Sequence, residues 1–178
     1  MGGRREVVVE ETNRLLDGYR TNDPEATVSI LTFDGSNASA VLVDRVPARR
    51  VRSMTIAHYQ LGAGTPLLDA IGAGLNRASE RLAEDHRAND TRVVFAVITD
   101  GDERDSVRYR PADVTGKLRR RRSAGWELLY LGLGRAISDG IQLGFTASEI
   151  HPLGTDREGT RVAFATIAGH TRRAPAPG

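Results

Sequence analysis

The stretch Val93-Val-Phe-Ala-Val-Ile98 limits what this chain can fold into more than any other. Six apolar residues stand in a row, and Thr99, Asp100, Gly101, Asp102 and Glu103 follow at once. A half-exposed strand would alternate polar with apolar residues, so the unbroken run reads as a strand buried on both faces. Strands of that kind lie inside parallel sheets covered by helices. Their carboxyl ends open onto a rim where ligands bind, and the carboxylates that follow Ile98 place charge at one point of that rim.

The rest of the chain alternates in the same sense. Val8, Val9, Leu15 and Leu16 predict an amphipathic helix over 4–19. A turn at 21–25 ("TNDPE") leads to a strand over 26–34, and a Gly-Ser-Asn turn leads to a second strand over 40–46, antiparallel to the first. An irregular or helical piece over 49–59 precedes a Gly-rich loop and a long helix within 61–85. Pro66 falls in the first turn of that helix, where its missing N–H costs nothing. After the buried strand come a helix over 111–123, a strand over 126–134, a short helix over 135–143, a weak strand near 149–153 and a final helix over 157–173. The expected fold is α/β: a doubly wound, Rossmann-like, mostly parallel sheet with helices on both faces and one antiparallel edge strand. It occupies a single domain over 1–173, followed by a disordered tail, "APAPG", at 174–178.

Composition removes several classes of function. The chain has no cysteine, which excludes disulfides, zinc-thiolate sites and thiol nucleophiles. No apolar run approaches the roughly 20 residues that span a bilayer, and no signal peptide opens the chain. A cytoplasmic location is expected. The net charge of +2 and the run Lys117-Leu-Arg-Arg-Arg-Arg122 raise the question of a nucleic-acid partner. No aromatic residues interleave with these arginines, and the run closes a helix before Gly125, where cations meet the negative end of the helix dipole. The basic run therefore reads as a solvated helix end, and no nucleic-acid partner is expected.

Three segments together carry a resemblance. "GAGTPLLDAI" (62–71), then "VVFAVITDGDE" (93–103), then "WELLYLGLG" (126–134) resemble, in order, spacing and setting on strand ends, the von Willebrand factor type A domain. The likeness covers essentially the whole chain and is nearest to the small bacterial members. It implies a non-enzymatic protein-binding module. Domains of that family hold a divalent cation at a metal-ion-dependent adhesion site of three loops, offering Asp-x-Ser-x-Ser, a threonine and an aspartate. Carried over by position, the threonine is Thr65 and the aspartate is Asp100. Mg2+ or Mn2+ takes about six hard oxygens in near-octahedral geometry, usually with only one or two carboxylates. A cation held by hydroxyls stays under-neutralised and accepts an acidic side chain from a partner protein.

The first of the three loops is missing, because Asp-x-Ser-x-Ser does not occur. In the family that loop commonly continues Asp-x-Ser-Gly-Ser-Met, so the resemblance matches Met1 to the residue after the second serine. The central first strand of the sheet is then also absent from this chain, and the expectation is a misassigned start or a truncated copy. Its loss leaves two strands facing a gap with unpaired backbone groups. With only Thr65 and Asp100 present, Mg2+ or Mn2+ binding should be weak or absent, and restoring the loop should strengthen it. A metal-free remnant is the further alternative. "DGSNAS" (34–39) offers Asp-x-Ser with the second serine one position late. It reads as a hairpin turn, with Asp34 as a weaker candidate for the site.

Other readings stand beside these. Thr65 also suits an N-cap, and Asp100 a loop acid that satisfies nearby N–H groups. Asp102, Glu103 and Asp105 read as solvated charges, and Asp69 as a complement to its helix dipole and local backbone. His58, His86, His151 and His170 are scattered and form no recognisable metal set. Gly132-Leu-Gly134 is too short a glycine pattern to indicate a nucleotide loop. The alternative function is a magnesium-dependent phosphohydrolase using Asp100 and Asp102, for which the single lysine, Lys117, would have to complete the site.

Overall fold

The computed structural model describes residues 2–35, 37–59, 64–85 and 91–171. Along the chain run α1 (Gly2–Asn22), β1 (Thr27–Asp34), β2 (Asn37–Pro47), two 3-10 turns (Ala48–Arg50 and Ile56–His58) and α2 (Leu67–Ala83). Then come β3 (Val94–Thr99), α3 (Pro111–Ser123), β4 (Glu127–Gly132), α4 (Ala136–Gln142), β5 (Ile150–Pro152) and α5 (Arg157–Thr171). The class is α/β, as the alternation predicts. The tail at 174–178 lies outside the described residues.

The strands fall into two sheets. β3, β4 and β5 form a parallel sheet in that order, with Val94 to Thr99 in register with Glu127 to Gly132. β1 and β2 form a separate antiparallel pair, whose register slips at three points between Val28 and Asp34. The sequence reading attached this hairpin to the parallel sheet as its edge. Among the described residues no ladder joins the two.

β4 shows why the parallel sheet is stable. Its alternate residues point to opposite faces, and both faces are apolar and buried. Leu128 and Tyr130 join Val97 of β3, Leu67, Ile71 and Leu75 of α2, and Val114 and Leu118 of α3. Leu129 and Leu131 meet Val8 of α1 and Ala163, Phe164 and Ile167 of α5. A fully buried leucine or valine of this kind contributes on the order of 2 kcal/mol. Helices therefore cover both faces, as expected. β3 is less protected: of its six residues only Val97 and Thr99 are buried, although the sequence run is wholly apolar before Thr99. Among the described residues β3 pairs with β4 alone.

α2 lies against β1 and β2, and Phe33 of β1 packs on the cluster that contains Val97 of β3, as does Phe95. At one end of α2, Gly64 abuts Gly35, just past β1, while Thr65 abuts Gly101, just past β3. At the other end Arg45 of β2, near the start of β1, donates to the Arg81 carbonyl (2.9 Å) and pairs with Asp85. There, too, Leu82 and Ala83 share a hollow with Thr91, just before β3, and Trp126, just before β4. β1 and β3 thus run in the same direction beneath one helix.

The basic run closes α3 with Arg120, Arg121 and Arg122, and Gly125 follows at φ 81°. Arg122 forms a two-pronged bond to Glu149 at 2.7 Å, and the Arg121 guanidinium lies 5.2 Å above the ring of Trp126. Neither arginine is simply solvated, as the sequence reading had it.

Candidate functional site

Thr65 and Asp100 lie at the same end of the parallel sheet. A Cβ placed on Gly101 would come within 2.7 Å of the Thr65 hydroxyl, so a side chain there would have to displace Thr65 where the two loops touch. The Arg104 N–H donates to the Thr65 carbonyl at 2.8 Å, a second tie between them. Thr65 is half-buried and Asp100 is exposed. Thr99, 6% exposed, closes the turn: its hydroxyl donates to the Gly101 carbonyl (3.1 Å) and accepts the Gly101 N–H (3.3 Å). β3 thus ends in a short hydroxyl-closed turn that carries Asp100 to the surface.

The loop beyond it is fastened to α2 from both sides. The Glu103 carboxylate accepts the Leu68 N–H at 2.7 Å, one of the amides at the start of α2 that lack an intrahelical acceptor. It also accepts the Ser106 hydroxyl (3.0 Å) and N–H (3.2 Å). In return Asp69, 2% exposed, accepts the N–H groups of Val107 (3.0 Å), Arg108 (2.9 Å) and Tyr109 (2.9 Å). These bonds correct three expectations. Glu103 is a helix cap supplied by a remote loop rather than a solvated charge. Asp69 serves a distant backbone segment rather than its own helix. The residue before α2 is Pro66, which offers no side-chain cap, so the capping role considered for Thr65 falls to Glu103. Sequence reasoning missed Glu103 because 35 positions separate it from the amide it caps.

Around this loop the rim is acidic. The Glu103 N–H donates to Asp139 of α4 at 3.0 Å. Asp105 takes φ 71° and sets its carboxylate against Gly64, itself at φ 93°, a conformation L side chains rarely adopt. Asp102 is half-buried. Below them Tyr130 is fully buried, its ring against Gly132 and Gly140 and its hydroxyl without a partner among the described residues. Burial first, then the charges of Asp139, Glu103 and Asp102, push its ionisation well above the ordinary phenol value.

The hairpin tip also reaches this rim, since Gly35 lies against Gly64. Asp34 is therefore close in the chain to the site, but part of the 34–39 segment lies outside the described residues. Among those described, no group of three or more histidine or acidic side chains converges as a metal cage. Thr65 and Asp100 would supply one hydroxyl and one carboxylate, and a cation there would draw its remaining oxygens from water or a partner.

Two of the histidines read as scattered converge elsewhere. The His170 ring Nδ1 is 2.6 Å from Glu127, and the rings of His151 and His170 stand 6.5 Å apart. Arg92 donates to Glu127 at 2.6 Å and to the His170 carbonyl. Burial acts to raise the Glu127 carboxyl, but the bonds from His170 and Arg92 outweigh it and hold the group below its ordinary value. Burial, and then the charge of His170, lowers His151. Lys117 donates to Asn76 at 2.6 Å and lies over the Tyr109 ring. No known family's model matches the chain, and no curated protein matches it.

Proposed function

We propose that the chain is a binding module of the von Willebrand factor A type, which uses Mg2+ or Mn2+ at Thr65 and Asp100 to engage an acidic group of a partner protein. In this reading the fold is a doubly wound, Rossmann-like sheet whose central strand is absent from this chain, and the two sheets beneath α2 are its separated halves. The observation that carries the reading is the contact of Thr65 with Gly101, which brings a hydroxyl beside the loop that bears Asp100. The ties from Glu103 and Asp69 support it, because they hold both loops before any ligand arrives. The residues fit a cation only in part. Thr65 and Asp100 would hold it and leave positions open, and the cation would supply positive charge for the partner's carboxylate. The phosphohydrolase alternative is disfavoured by Lys117, which is engaged with Asn76 and Tyr109.

Titration calorimetry with MnCl2 and MgCl2 tests this. Weak binding is expected in the unmodified chain, lost in Asp100→Asn and reduced in Thr65→Val, with thermal midpoints unchanged. Cation binding that both substitutions leave intact would remove the proposal. Magnesium-dependent hydrolysis of p-nitrophenyl phosphate, abolished by Asp100→Asn, would favour the enzyme instead.

A further inference from the structure

The cation reading leaves unused the ionisable groups gathered around the end of α5. We propose that His151, His170 and Glu127 form a proton-operated latch, which holds the last turn of α5 on the sheet while His151 is neutral and releases it when His151 takes a proton.

The hold comes from outside the helix. Arg92, just before β3, donates to the His170 carbonyl, one of the last carbonyls of α5, which lack an intrahelical donor. Its cation also suits the negative end of the helix dipole. The His170 ring Nδ1 stands 2.6 Å from Glu127, the first residue of β4, and Arg92 donates to the same carboxylate at 2.6 Å. One carboxylate thus ties the helix end to the sheet.

His151 of β5 is the sensitive member. Its ring lies 6.5 Å from that of His170. Its Nε2 is buried and has no hydrogen-bond partner among the described residues. An imidazolium carries an N–H on both nitrogens, and here one of them would meet no acceptor. The charges around the ring give no relief. α5 brings His170, its only ionisable side chain after Arg161, and the segment before β3 brings the Arg92 cation. Glu127 of β4 is engaged by those two groups, and Glu149, beside β5, by Arg122. α4, which also packs on β5, brings Asp139, whose carboxylate accepts the Glu103 amide. Burial and then the charge of His170 accordingly hold His151 below its ordinary value. The released state therefore binds the proton more tightly than the latched one, and acid favours release.

Amide hydrogen exchange in the full chain, corrected for its intrinsic pH dependence, reads the opening at 167–171. One proton of ordinary pKa 6.5 allows a rise of up to about tenfold in the opening constant between about pH 7.5 and 5.5. The expected rise is at least about threefold, and it disappears in His151→Phe and in the polar His151→Gln, which guards against a packing defect. Glu127→Gln should speed exchange at 167–171 already at pH 7.5. At pH 5.5, low urea should leave exchange at 167–171 unchanged while accelerating that of 128–131, because the release is local. No rise in the unmodified chain, a rise kept in both His151 variants, or no effect of Glu127→Gln would overturn the proposal. So would a urea dependence shared by 167–171 and 128–131, since the opening would then be global unfolding.

Discussion

Replacing the buried Asp69 with alanine leaves the amides of Val107, Arg108 and Tyr109 without their acceptor. The expected loss is about 2 kcal/mol by urea denaturation, because three charge-assisted bonds are lost while the freed amides gain partial access to water. Exchange of the 107–109 amides should accelerate together. His151 gives a second test at this scale. Its folded value lies below the ordinary 6.5, so the unfolded chain binds the proton more readily. Stability is then complete above about pH 6.5 and falls as pH drops through that value toward the lower folded one. His151→Phe should flatten this loss in chemical denaturation between about pH 7 and 5.5. Glu127 acts in the same sense at lower pH: its lowered value contributes stability that is present above the carboxylate range and lost in stronger acid. Neither histidine's role was visible in the sequence, since only folding brings the end of α5 beside Glu127 and β5.

Helix α2 organises the rim, and its first turn depends on a residue from another segment. Glu103→Ala should cost about 1 kcal/mol, the usual value of a lost cap. Glu103→Gln, which keeps one acceptor oxygen, should cost less. Thermal unfolding of both variants checks the order, and an equal effect would show that the carboxylate does not act through the Leu68 amide. The elements were legible because their signals are local: apolar run, period and punctuating glycine or proline. β4 falls within its expected span, β3 is shifted by one residue from the apolar run 93–98, and α3 coincides with its expected span. The loop after β3 was legible only as acidic. Its tie to α2 rests on Glu103 and Asp69, whose partners lie 35 and 38 to 40 positions away, beyond the reach of helix or turn rules.

At the scale of the whole molecule, alternation of strands and helices sufficed for the α/β class and for helices on both faces. The pairing of the hairpin was not legible from period or composition. Sheet neighbours are chosen by backbone groups that every residue shares, whereas side chains reveal only which face is covered. β3 illustrates the limit, because its apolar run reads as an inner strand while its burial is that of an edge. The single tryptophan has a consequence for anyone following this chain in solution. Trp126 sits between α3 and β4, sealed by the Arg121 guanidinium and within the same cluster as Tyr130. Its emission therefore monitors melting of the parallel half and is silent on the hairpin, so a single smooth fluorescence transition would not establish that both halves come apart together.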